Sequence, residues 1–403
     1  MISPTSSTPW ALLADGRFLR VWLAGGFIGT MRWLEILVIA VFTLEVTGSA
    51  FMVAMMMMLR SLPLFLFGTV SGAIAEQVNR KLLMLCALVM ATVVAVALAL
   101  LARSGQIEIW HIGIGVFLSG SLWTTEFPVR RTMLGEIAGP SRVGPAMGLD
   151  SATTNGTRML GPALGGLLYE TIGIDGAYML GAALYTIGFG LIISLEYSPA
   201  QALVRQWNVF KTIREGLVYV RGNRAIIATL AVTVIMNVWG FPFAAMVPVI
   251  GVEEMGLSAF PIGILMSAEG AGAFMGALLI ATFGRPEWFN RLYLYGSFLV
   301  MIMVAIFSFS TVFGLSLGLL LTAGFGAAGF SAMQTTIMFT LAPPEMRGRV
   351  MGVLTVCIGS GPLGMLHIGL LAGWLGASTA VLVVAIEGIV VLAIAAWVWS
   401  ELR

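Results

Sequence analysis

The sequence predicts an all-α integral membrane protein: twelve transmembrane helices in two pseudo-symmetric six-helix bundles. Three observations carry that reading. Hydrophobic residues make up 59% of the 403 and charged residues only 10%, whereas a soluble domain carries about 25% charged residues. Predominantly apolar runs recur along the whole chain at the length of about 20 residues that a bilayer-spanning helix requires. Short signatures of the first half return in the second at a nearly constant offset, the pattern left by a parallel repeat.

The runs fall in order. The first begins near Phe18 after "MISPTSSTPWALLADGR", with no basic leader and no small-residue cleavage pattern, so it is expected to stay in the mature protein. Candidate spans of the first half lie at 18–45, 50–75, 82–102, 107–128, 144–170 and 176–196. Those of the second lie at 225–250, 260–283, 291–309, 313–340, 348–374 and 378–400. Several hold Gly and Pro ("LGPALGGLL", "GFPFAAMVP"), which membrane helices tolerate because small residues let neighbouring backbones approach. No ten-residue alternation of a transmembrane barrel is present.

Net charge is small, 21 Lys+Arg against 19 Asp+Glu, so nothing recruits nucleic acid. The placement of the charges is lopsided. With the N-terminus inside, Arg17, Arg20, Arg80, Lys81, Arg130, Arg131, Arg142, Arg205, Lys211, Arg214, Arg221, Arg224, Arg285, Arg291, Arg347, Arg349 and Arg403 share one side, leaving only Arg103 on the other. Basic short loops stay cytoplasmic, and an even number of spans returns the C-terminus to the same side. The polar stretch 196–224 reads as a basic amphipathic linker on the inner surface. The expected organisation is a bundle over 1–196, a linker over 197–224 and a bundle over 225–403. Cys86 and Cys357 lie far apart in apolar runs, and His111 and His367 are the only histidines, so neither a disulfide framework nor a soft-metal site is expected.

The repeat supports the two halves. "IAGPSRVGPAMGL" at 137–149 aligns with "LAPPEMRGRVMGV" at 341–353, setting Gly148 against Gly352. "GPALGG" at Gly161 answers "GPLG" at Gly361, and "SAF" recurs at 49–51 and 258–260.

These motifs resemble the major facilitator superfamily, across essentially the whole chain. "GAIAEQVNRKLL" from Gly72 is similar to the family's G-x-L-A-D-R-x-G-R-K loop, with Gly72, Ala75, Arg80 and Lys81 matching and Glu76 in place of the Asp. "NGTRMLGPALGG" is similar to the exporters' helix-five signature, with Gly161, Pro162, Gly165 and Gly166 in place. "PPEMRGRVMGV" and "GPLGMLHIGLLAGWLG" resemble the branch that holds enterobactin and macrolide-type exporters. The resemblance implies the major facilitator fold in a bacterial cytoplasmic (inner) membrane. It also implies that helices one, four, seven and ten line a central cavity and that two, five, eight and eleven form the moving contact between bundles. The arginine that many members carry within helix four is missing from "IEIWHIGIGVFLSGSLWTTEF".

Charges inside spans are costly, roughly 2.5–3.5 kcal/mol each at the helix centre on insertion scales, and so mark candidate sites. Arg32 and Glu35 lie three apart on helix one and are expected to line the cavity as a proton and substrate switch, the rival reading being a cis pair that merely neutralises itself. Arg60 on helix two and Glu269 on helix eight hold pseudo-symmetric positions and have two readings, a gate or coupling pair meeting across the interface, or charges that snorkel or contact carbonyls. Arg158 has two readings, orienting substrate anions or bracing helix five. Asn237 and Gln334 are candidate hydrogen-bonding groups for substrate, with His367 and the peripheral Glu387 behind them. Glu126, Arg130, Arg131 and Asp150 read as a solvated salt-bridge network.

The expected function is secondary active export of a small amphipathic organic molecule by alternating access, coupled to protons and carried out by a monomer among membrane lipids. No G-x-x-x-x-G-K-[ST] nucleotide loop is present and no cofactor is expected. Lysophospholipid transport and inward symport are the rival transport readings. An intramembrane hydrolase using Ser360 and His367 is disfavoured, because seven residues separate them by roughly 10 Å along a helix.

Overall fold

The computed structural model describes residues 10–197 and 209–403, with side chains described for 12–68, 78–197, 214–343 and 345–403. Helix α1 (Gly16–Thr47) starts where the Asp15 carboxylate accepts from the Arg17 backbone N–H and ends at Gly48, whose φ of 59° is a left-handed turn. Helix α2 (Ala50–Gln77) follows after two residues. The Asn79 side chain caps α3 (Arg80–Arg103) by accepting from Lys81 and Leu82. Helix α4 (Ile109–Ala138) runs ten residues past its expected end and contains Pro128. The extension is stable because its charges are met inside the protein, as described below.

The gap expected between the fifth and sixth spans is a single residue. The helical stretch Val143–Ile193 breaks only at Gly173 (φ 72°, ψ −176°), a conformation that a residue with a Cβ would strain to adopt. Helix α5 lies before it and α6 after it. An amphipathic linker helix, Val209–Arg221, precedes α7 (Arg224–Glu253). Helix α7 is interrupted by a π-helical turn at Met236–Gly240 and a 3₁₀ turn at Pro242–Ala245. Then come α8 (Ala259–Phe283), α9 (Phe289–Phe307), α10 (Phe313–Leu341), α11 (Glu345–Leu375, interrupted at Gly359 and Ser360) and α12 (Ala377–Val398).

Ten segments qualify as membrane spans on length and apolar composition alone, with Val143–Ile193 counted once and α4 left out. The α4 run is diluted by His111, Ser119, Ser121, Thr124, Thr125 and Glu126. With both sides of Gly173 and α4 counted, the described residues hold the twelve expected helices.

In the first half α1 and α3 pack on the Val143–Ile193 stretch and α2 packs on α4; in the second, α10 packs on α8 and α9, and α12 on α9 and α11. The two halves meet along α5–α8 and α2–α11. Glycines make the first of these contacts close. A Cβ on Gly270 would stand 2.7 Å from the Arg158 carbonyl; on a neighbouring face of α5, within the first half, one on Gly165 would stand 2.8 Å from the Leu34 carbonyl of α1. Gly166 abuts the Ala259 backbone and Gly263 abuts Pro162. Nearer the start of α5, Gly144, Gly148 and Gly156 meet nothing within 4 Å. Contact between the halves thus fades along α5 toward the end of the bundle that carries the basic loops.

Candidate functional site

Glu35 is 3% exposed in the middle of α1. Its carboxylate accepts a hydrogen bond from Ser119 of α4 at 3.0 Å and faces Arg60 of α2, Nη2 to Oε2, at 3.8 Å. The alternative of a self-neutralising cis pair with Arg32 is not what forms. Three residues along an α-helix turn a side chain by about 300°, enough for the two to meet different neighbours. The Arg32 guanidinium lies over the Trp123 ring of α4, 3.8 Å from its centroid, and 5.3 Å from that of Trp33. Arg60 closes the group by donating to the Arg32 carbonyl at 3.2 Å.

Arg60 and Glu269 do not meet either. Glu269 receives two hydrogen bonds from Nη2 of Arg158, at 2.5 and 2.7 Å. The repeat placed Arg60 and Glu269 at equal depth, but depth does not choose a lateral neighbour. Arg60 is on α2, with α4's Gly120 packed on its backbone, whereas Glu269 is on α8, whose Gly270 packs on the backbone of Arg158. Arg158 also lies 5.3 Å from the Trp33 centroid, so Trp33 stands between Arg32 and Arg158. Beside it, Ser267 of α8 accepts from the Ala163 N–H at 3.1 Å, and Glu170 of α5 accepts from the Phe260 N–H at 3.0 Å. Polar cross-links between the halves therefore run along the same seam as the glycine contacts.

Toward the basic end, Arg130 bonds both Glu126 and Asp150, and Arg131 reaches Asp150 at 2.8 Å. The solvated network expected there is buried instead, with Glu126, Arg130 and Asp150 each at or below 5% exposure. Two acids neutralise two arginines and let α4 continue past Pro128.

Of the loop motif, the Gly72, Ala75 and Glu76 side chains lie outside the described residues. Arg80 pairs with Glu136 at 2.6 Å. Lys81 donates to the Ile193 and Leu195 carbonyls at 2.9 and 2.7 Å, tying α3 to the end of α6. Tyr197 also bonds Glu136, and burial together with that bond pushes its hydroxyl up to about 12. Within helix five, Gly161 and Gly165 admit α1, while Pro162 and Gly166 admit α8.

Asn237 and Gln334 stand apart from the arginine cluster. Asn237 donates to the Thr233 carbonyl at 2.9 Å, inside its own helix. Gln334 donates to the Thr233 hydroxyl at 2.9 Å, which lies 3.0 Å from the Tyr293 hydroxyl; Tyr293 donates in turn to Thr229 O at 2.8 Å. This network pins α7, α9 and α10 together. His367 meets Glu387 at 2.7 Å, and Trp239 of the π-turn donates to the same carboxylate at 3.0 Å. Ser360 donates to the Cys357 carbonyl, so no nucleophile–base pair with His367 exists. Trp123, Ser119, Thr233 and Tyr293 were not singled out from the sequence; aromatic and hydroxyl residues are common in membrane helices, and no spacing distinguishes them. Among the described residues no group of His, Cys, Asp and Glu is placed to hold a metal ion.

The sequence matches the family described as transmembrane secretion effector over residues 7–402. It is 23% identical to macrolide efflux protein A of Streptococcus pyogenes, covering 89% of this chain and 90% of that protein. It is 25% identical to the enterobactin exporter EntS of Shigella boydii serotype 18, covering 77% and 74%. The fold superposes on a POT family transporter crystallised with 5-aminolevulinic acid, with a TM-score of 0.75 at 11% identity over 96% of each chain. The matched family and relatives are transporters rather than enzymes. The chain is a multi-pass membrane exporter of the major facilitator superfamily and belongs to its transmembrane secretion effector family.

Proposed function

We propose that this exporter is driven by protons and carries small amphipathic organic molecules out of a bacterial cytoplasm, its termini and basic loops facing inward. The observation that carries the reading is Glu35, an acid buried at mid-helix between a cation and a hydroxyl donor. A carboxylate's proton affinity falls beside a cation and rises where it is dehydrated without one. Any motion that separates Glu35 from Arg60 therefore changes its hold on a proton.

The halves 1–196 and 225–403 rock about the α5–α8 and α2–α11 seams, with the linker helix Val209–Arg221 riding the inner surface; residues 198–208 of the linker lie outside the described residues. Arg158–Glu269 is the contact that breaks and remakes between the halves. Proton and cargo act on one conformational equilibrium, so each alters the other's binding by the same factor. Arg32, Glu35, Arg60, Arg158 and Glu269 form the coupling group, while Gln334 braces α10 against α7. Macrolide and siderophore probes offered to proteoliposomes under an imposed pH gradient test this reading. Uptake that ends when an ionophore dissipates the gradient supports it, and uptake indifferent to the gradient refutes proton coupling.

A further inference from the structure

The charges at the centre do not balance. Among the described residues, Arg60 and Arg158 form ion pairs with Glu35 and Glu269, and Arg32 forms none. Arg32 has no carboxylate within ion-pair reach among the described residues. The buried atoms lacking hydrogen-bond partners point the same way. Around this site they are four donors, Arg32 Nε, Arg60 Nε, Arg158 Nε and Trp123 Nε1, one acceptor, Glu35 Oε2, and the Tyr178 hydroxyl, which can do either. A buried polar group left unmatched is costly, so the occupant that suits the site brings acceptors and negative charge. Trp33 and Trp123 flank the unmatched guanidinium with aromatic faces.

We infer that the cargo is an amphipathic anion, whose carboxylate, sulfonate or phosphate docks on Arg32 and Trp123 Nε1 while its apolar body lies along Trp33. This deepens the exporter reading and rests on it. It separates the roles of the arginines: Arg60 and Arg158 hold the protein's own acids, and Arg32 is free for the cargo. A cationic cargo would enter a site that already carries surplus positive charge. A neutral one would leave Arg32 unmatched.

The test uses the purified full chain in neutral detergent and three probes of one shape: 2-naphthoate, 2-naphthamide and 2-naphthylmethylammonium. Affinity is read from the rise in thermal unfolding temperature on titration. The expected result is binding of 2-naphthoate about 10-fold or more tighter than the other two, with Arg32→Gln losing about 10-fold, since truncating one partner of a buried charge pair costs at least that much. Trp123→Phe keeps the ring and removes the N–H, and should weaken 2-naphthoate about 3-fold or more. Should Arg32→Gln fail to fold, Trp123→Phe and Arg32→Lys carry the comparison.

Lysophosphatidylglycerol against lysophosphatidylcholine forms a second arm. Selective binding of the first, displacing 2-naphthoate, identifies a lipid headgroup as the anion; binding of 2-naphthoate alone identifies a free organic anion. Equal or tighter binding of the cation or the amide, or an unchanged 2-naphthoate affinity in Arg32→Gln, overturns the inference. Transport separates it from the exporter reading. A cation carried at full rate by Arg32→Gln keeps the exporter and removes the anion site. Arg32-dependent binding of 2-naphthoate without movement of any probe keeps the site and removes export.

Discussion

Arg158 on α5 and Glu269 on α8 are joined through one guanidinium nitrogen that donates to both carboxylate oxygens, at 2.5 and 2.7 Å. Both side chains are largely shielded, 24% and 14% exposed, and they belong to opposite halves of the molecule. Loss of either partner leaves the other charge in a poor medium. Glu269→Gln should slow export by about 10-fold or more, equivalent to about 1.4 kcal/mol in the barrier. The exchange Arg158→Glu with Glu269→Arg should recover part of that loss. Rates in proteoliposomes for the two singles and the double give the coupling; additive losses would show that the pair does not act as a unit.

The glycine seam predicts a positional contrast within α5. Gly166 faces the Ala259 backbone and has no space for a side chain, while Gly156 meets nothing within 4 Å. Gly166→Val should abolish closure of the seam and reduce export to near background. Gly156→Ala should export within about 2-fold of the unmodified chain and raise stability by up to about 0.5–1 kcal/mol, the helix penalty of glycine. Transport and thermal unfolding of both proteins check the pair.

Thr233 sits at the hub of the hydrogen bonds from Gln334 and Tyr293. Thr233→Val leaves the Gln334 amide without its acceptor, which should cost about 1–3 kcal/mol of stability, while Tyr293 keeps its bond to Thr229 O. Because this network lies away from Glu35, the pH dependence of transport by the surviving protein should not move. Thermal unfolding and a pH profile measure the two effects separately.

Tyr197 gives an alkaline signature. Its hydroxyl is pushed up to about 12 by burial and by its bond to Glu136, against about 10 for an unperturbed tyrosine. The folded chain holds a proton there that the unfolded chain releases, so this contribution is intact below pH about 10 and declines as pH climbs toward about 12. Tyr197→Phe should flatten that part of the stability–pH curve. Unfolding temperatures of both proteins from neutral to strongly alkaline pH give the comparison.

Membrane spans were readable because length and apolarity are properties of a single helix. The family was readable because Arg80, Lys81, Gly161, Pro162, Gly165 and Gly166 stand in recognisable order. Partner choice was not, since it depends on how helices distant in sequence turn toward one another. Glu35 found Arg60 and Ser119, 25 and 84 residues away, rather than Arg32 on its own helix. Arg158 took the acid assigned to Arg60 because α5, not α2, lies against α8. The length of α4 was hidden for a related reason. Glu126, Arg130 and Arg131 read as the end of a span, and only Asp150 on the next helix shows how Glu126 and Arg130 come to be buried. The single-residue break at Gly173 and the π-turn of α7 carry no sequence signal beyond a glycine and a nearby proline, which occur throughout this chain.

Glu35→Gln provides the most direct measurement, because it keeps the shape and the Ser119 hydrogen bond while removing the titrating group. Uptake into inverted membrane vesicles should be followed under an imposed pH gradient and, separately, under a cargo gradient alone. The account predicts that the first falls to background and loses its pH dependence while exchange of cargo down its own gradient persists. Full pH-driven uptake with an unchanged pH profile would contradict it.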